Sequence, residues 1–107
     1  MFKKADESGY KEVMEGVNLK TLVHGERTLL GEFRLTGGSV VPVHQHHHEQ
    51  TGYLLSGRMR FLIGENSYEA EKGDSWCIPG NVEHGVEVLE NSVVIEIFSP
   101  VREDYVT

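Results

Sequence analysis

The stretch VPVHQHHHEQTGYLLSG, residues 41–57, holds four of the chain's six histidines within five positions: His44, His46, His47 and His48. Side chains along a strand alternate between its two faces. In SVVPVHQH (39–46) this alternation puts Val40, Pro42, His44 and His46 on one side, so His44 and His46 point the same way. An HxH pair on a strand offers two imidazoles to one interior without distorting the backbone, which suits a metal site inside a barrel. Outward from this stretch lie other short runs bounded by Gly, Asn or Pro: VNLKTLVH, RTLLGEFRLT, QTGYLLS, RMRFLIG, SYEA, DSWCIP, EHGVEVLE and SVVIEIFS. No long apolar pattern at helical spacing interrupts them, so the expected fold is all-β, a small barrel or two-sheet sandwich. The segments GGS (37–39), GEN (64–66), KGD (72–74) and LEN (89–91) are expected to turn hairpins, because Gly and Asn accept positive φ.

A chain of 107 residues and 12.0 kDa supports one domain built on one core. The polar segment 1–16 is expected to be an extended arm without chemistry, and 17–107 the barrel. The formal charge of -7, from 10 basic and 17 acidic side chains without long runs of either sign, argues against a nucleic-acid surface. The single cysteine, Cys77, excludes an intrachain disulfide and is expected to be a small buried apolar residue. The N-terminal residues carry no unbroken apolar segment, so neither a signal peptide nor a membrane partner is expected, and the cytoplasm is the expected location.

Further metal ligands must come from other strands. Gln50 follows His46 by four residues, enough for a turn into the next strand, and His84 begins a strand after the turn PGNVE. His84 shares its face with Val86 and Val88, with Glu83 and Glu87 facing out. His44, His46, Gln50 and His84 are therefore the expected ligands of one divalent ion; Zn, Mn, Ni, Fe and Co all accept such nitrogen and oxygen donors. Glu49 ranks behind Gln50 because it faces the other way. His47 and His48 fit an exposed loop, and His24, beside Gly25, fits an ordinary turn. Three imidazoles and an amide leave the ion's charge uncompensated, so the site should attract an anionic oxygen. In SVVIEIFS the inward set is either Val93, Ile95 and Ile97 or Val94, Glu96 and Phe98; the pattern leaves this open.

The spacing Gly38, His44-Gln45-His46, Gln50, Gly57 resembles the first motif of the cupin superfamily, with Gln where Glu is usual. Gly73, Pro79-Gly80-Asn81, His84 resembles the second, with Asn81 where Gly is usual and Val88 where Asn is usual. The resemblance implies a double-stranded β-helix, or jelly roll, around one metal ion, and often a homodimer. The stretches HEQTGYLLSGRMRFLIG, GDSWCIPGNVEHGVEVLE and IEIFSPVREDY resemble the KdgF-like small cupins of pectin and alginate breakdown, which convert 4,5-unsaturated monouronates into linear keto forms. This second resemblance implies a small anionic, sugar-derived substrate. It also places Glu96, Phe98 and Arg102 in the pocket, with Glu96 where Asp is expected. Glu96 is then the candidate acid/base, and Arg102 or Arg60 the carboxylate clamp, since a guanidinium matches a carboxylate bidentately. The same ligands would also serve a dioxygenase, a sugar isomerase or a non-catalytic binding module.

Overall fold

The computed structural model describes residues 1–106. Its elements are β1 (Lys11–Met14), β2 (Val17–His24), β3 (Leu29–Leu35), β4 (Val40–His44), β5 (Glu49–Ile63), β6 (Asn66–Glu71), β7 (Ser75–Ile78), β8 (His84–Ser99) and a 3-10 turn, Glu103–Tyr105. Every strand pair is antiparallel. The order is β1-β2-β3-β8-β5-β6, with β4 added on β8 and β7 on β5. Among the described residues no helix is long and apolar enough to cross a membrane.

β5 and β8 pair along nearly their whole lengths and serve two sheets each. The first half of β5, from Glu49, lies between β7 and the second half of β8, which continues to β3, β2 and β1. The second half of β5 lies between β6 and the first half of β8, which continues to β4. The chain is thus an all-β jelly roll in one domain, with a radius of gyration of 13.1 Å, close to the ~13 Å expected for a single domain of this length. Between the layers lie Val17, Leu19, Leu29, Phe33, Leu35, Leu54, Met59, Phe61, Val88, Val94 and Phe98.

Two segments differ from the sequence expectation for one shared reason. Gly57 and LEN (89–91) were expected to end strands, yet β5 runs on through Gly57 and β8 through Asn91. Both mark corners where a long strand bends from one sheet to the other, with register shifts in β5 between Leu54 and Met59. Bulges of this kind bend a strand and raise its local twist. Gly57 has φ 98° and sits against Asn91 and Ser92, where a Cβ would overlap the Ser92 hydroxyl and the Asn91 carbonyl. Gly57→Ala should therefore destabilise the fold by about 2 kcal/mol or more, measured as a lowered urea midpoint. The turns at Gly38, Gly64 and Gly73 have positive φ as expected.

The N-terminal segment is tied to the sheet. β1 pairs with the edge of β2, the buried Lys20 ammonium bonds Asp6 at 2.8 Å, and the Tyr10 hydroxyl donates to Glu32 at 2.6 Å. Val13 and Met14 line the central cavity, so the segment forms part of its apolar wall.

Cys77 is exposed rather than buried. On β7, Trp76 and Ile78 lie opposite Gly52 and Gln50 on the interior side, which turns Cys77, opposite Thr51, outward. The apolar run WCI hides this alternation.

Candidate functional site

The imidazoles converge because two loops lock together. β4 ends at His44, so His46 lies in the following loop rather than on the strand. That loop is held by the Pro79-Gly80-Asn81 turn: the Asn81 amide donates to the His46 carbonyl at 2.7 Å, and a Cβ on Gly80 would overlap the His47 carbonyl. Asn81 takes φ 65°, the left-handed conformation that Asn tolerates better than most residues. His84 opens β8 and pairs with His44 across the sheet. The alternation expected along β4 holds for Pro42 and His44. A register shift between Val41 and His44 then turns Val41 toward the cavity and leaves Val40 exposed.

His44, His46 and His84 present ligand nitrogens that all lie within 4.8 Å of one another. Each ring has its Nδ1 against a backbone carbonyl: His44 on Pro42 at 2.8 Å, His46 on His48 at 3.0 Å and His84 on Val82 at 2.8 Å. A carbonyl only accepts, so Nδ1 carries the proton and the Nε2 lone pairs are left for a ligand. His47 and His48 stand outside this cluster, and Glu49 is exposed while Gln50 is buried.

Three features fit a cation. The buried Nε2 of His84 has no hydrogen-bond partner among the described residues. The His46 Nε2 faces the Gln50 carbonyl oxygen at 3.0 Å, and the Gln50 amide nitrogen is committed to Glu96 at 2.6 Å. Two acceptors are thereby brought face to face, an arrangement that a cation between them relieves. Burial, and then the positive Arg102, pushes His46 down to about 4. Burial likewise lowers His84, so both rings are neutral at pH 7, the state a ligand needs.

Of the two inward sets left open for β8, the structure selects Val94, Glu96 and Phe98, all buried, through their register with β3 and β5. The carboxylate oxygen Oε2 of Glu96 accepts from Gln50 and, at 3.0 Å, from the Trp76 indole. Burial pushes the Glu96 carboxyl up to about 7, against the opposing pull of the Trp76 and Gln50 hydrogen bonds and of Arg102. Glu96, Gln50, His44, His84, Phe98, Arg102 and Tyr105 all line one cavity of about 350 Å³. Much of the remaining wall is apolar.

Arg102 stacks over Phe98 at 5.2 Å and Tyr105 at 4.1 Å while its Nε and NH2 edge pairs with Asp104. Its NH1 makes no hydrogen bond among the described residues. Arg60, the alternative clamp, is outside the cavity: Met59 and Phe61 face inward, so Arg60 faces outward and pairs with Glu87 at 3.0 Å. Arg58 pairs with Glu69 and Glu90 on the same side.

Residues 31–98 match the sequence profile of the cupin domain. The chain belongs to the cupin family. This cupin is 28% identical over 102 residues to the pectin degradation protein KdgF of Dickeya dadantii, an alignment covering 94% of this chain and 93% of the relative. It superposes on KdgF from a Halomonas species with a TM-score of 0.86 at 29% identity, covering 91% of this chain and 90% of that one. An RmlC-like cupin from Shewanella frigidimarina gives a TM-score of 0.92 at 25% identity, covering 98% and 95%.

Trp76 and Tyr105 were not singled out in the sequence. The FSPVREDY tail pointed to the neighbourhood of Tyr105, whose ring packs edge-on against Phe33 and Phe98. Nothing local marked Trp76, because its role depends on cross-strand register.

Proposed function

We propose that this cupin opens and ketonises a 4,5-unsaturated monouronate, with one divalent ion held by His44, His46, Gln50 and His84 and with Glu96 as the acid/base. The observation that carries the reading is the placement of Gln50 between the two groups: its carbonyl oxygen faces the His46 Nε2 lone pair, and its amide donates to the buried Glu96 carboxyl. Glu96 shares one cavity with His44, Gln50 and His84, which supports a proton-transfer role beside the proposed ligands. The similarity to two KdgF proteins, one of them named for pectin degradation, supports the substrate class.

The chemistry is an isomerisation in which one proton moves from oxygen to carbon. Glu96 takes the proton of the anomeric hydroxyl; the bond from the anomeric carbon to the ring oxygen breaks, and its electrons leave an enolate on that oxygen. The protonated Glu96 then returns the proton to the neighbouring alkene carbon, giving a linear aldehyde with a ketone in place of the enol ether. A carboxyl poised near neutrality suits both halves, because the best catalytic pKa lies near the working pH. When bound, the divalent ion supplies Lewis-acid stabilisation of the oxygen that gains charge. Arg102 offers NH1 to the uronate carboxylate and is held in place by the Phe98 and Tyr105 rings and by Asp104. Incubation in D2O tests the reading: NMR should show a linear keto product carrying deuterium at the former alkene carbon, and an unchanged cyclic substrate would refute it.

The apolar walls formed by Val17, Phe33, Leu35, Met59 and Phe61 favour a second reading, another metal cupin enzyme whose anionic substrate carries an apolar part. Oxygen consumption by an iron-loaded sample would identify a dioxygenase of that kind. We also propose a homodimer formed through the outer face of the β3-β8-β5 sheet. There the exposed Ile97 lies beside the half-buried Leu30, and the exposed Tyr53 beside the half-buried Ile95. Light scattering at micromolar concentration should give about twice the chain mass, and a monomer would exclude this.

A further inference from the structure

We propose that Trp76 is a positioning residue for Glu96, reaching it across a gap left open by Gly52, and that this contact places the carboxylate of the longer Glu side chain for proton transfer. The inference rests on the assignment of Glu96 as the acid/base. Its evidence is a row of three residues on three adjacent strands: Gly52 of β5 pairs with Trp76 of β7 on one side and with Glu96 of β8 on the other. Trp76 and Glu96 are therefore separated by a whole strand, about 9–10 Å between backbones at the usual strand spacing. Only a large side chain lying flat across the intervening backbone can bridge that gap.

Gly52 permits this by what it lacks. A Cβ there would overlap indole atoms Nε1, Cε2 and Cζ2. With no side chain in the way, the ring lies over β5, and its N–H donates to Glu96 Oε2 at 3.0 Å. Phe61 packs against the indole at a centroid distance of 4.4 Å. Phe61 lines the central cavity, and both rings line a second, outer cavity, so the indole stands between Glu96 and that outer space. An indole N–H donates and never accepts. The contact therefore holds one carboxylate oxygen against the wall, together with the Gln50 amide, and leaves Oε1 for substrate. Held by two donors in this way, the carboxylate keeps a fixed position, and a displacement of about 1 Å at a reacting group can cost on the order of 100-fold in rate.

Trp76 is the chain's only tryptophan, so a ¹H–¹⁵N spectrum of the full chain shows a single indole resonance. At pH 8 that resonance should be protected from exchange and should move upfield in Glu96→Gln, where the charged acceptor is gone. Trp76→Phe keeps a ring but loses the donor. It should retain metal content and KM within about twofold while kcat falls about 10- to 100-fold. Gly52→Ala should give a similar loss, and the double variant no more than either single one. An indole resonance unmoved by Glu96→Gln would overturn the proposal, as would full kcat in Trp76→Phe. If the wild type fails to act on the uronate, the activity reading falls, while the indole resonance still decides the Trp76–Glu96 contact.

Discussion

Glu96→Gln should leave the metal content and thermal unfolding of the protein nearly unchanged and lower its acceleration of uronate ketonisation by about two to four orders of magnitude, the usual worth of a general acid/base. The amide can still accept from the Trp76 indole and nearly matches the carboxylate in volume, so packing around Val94 and Phe98 is preserved. What it loses is the capacity to hold a proton. The wild-type pH profile should carry the same signature. With the Glu96 carboxyl near 7, the ionised base gains population as the pH rises toward 7, so the rate of the proton-removal step should rise and then level off. A bound divalent ion favours the ionised form and moves that limb to lower pH. Glu96→Gln should lack the limb altogether; a mutant that keeps both the limb and the rate would move the acid/base elsewhere in the cavity.

His46→Ala should lose the metal. His46 is the member of the cluster that also faces the Gln50 carbonyl oxygen, so its removal would take away the proposed ligand on which the other donors converge. Loss of an outer-shell partner alone costs roughly 10- to 100-fold in metal affinity, and loss of a ligand should cost more than that. Elemental analysis after dialysis against chelator should find the wild type loaded and His46→Ala empty. Activity should fall along with metal content. His47→Ala and His48→Ala should stay loaded, since those rings stand outside the cluster. Full metal in His46→Ala would mean that the neighbouring histidines hold the ion.

These residues differ in how far the sequence alone could reveal them. The convergence of His44, His46, Gln50 and His84 was anticipated from their spacing, although the strand alternation invoked for His46 is not what produces it: His46 lies in the loop after β4, held there by the turn at Asn81. The inward face of β8 was not legible: in SVVIEIFS both alternating sets are largely apolar, and only the pairing of Val94 with Phe33 and Leu54 fixes which one is buried. Gly57 and Asn91 misled because a glycine or asparagine in a hairpin turn and one at a strand corner give the same local signal. The difference lies in whether pairing continues on the far side, and that is a tertiary fact. Trp76 and Gly52 were silent for a related reason, being 24 positions apart in the chain and neighbours only through sheet register. Arg60, by contrast, could have been set aside, since its alternation with Met59 and Phe61 already turned it outward.

The most direct test is the rate at which metal-loaded wild-type protein removes the ultraviolet absorbance of a 4,5-unsaturated monouronate, compared with the spontaneous loss in the same buffer. The conjugated enol ether disappears on ketonisation, so the signal follows the reaction itself. The expected result is an acceleration that scales with protein concentration and is abolished by chelator. A wild-type rate equal to the spontaneous one with each of Zn, Mn, Ni, Co and Fe would contradict the assignment.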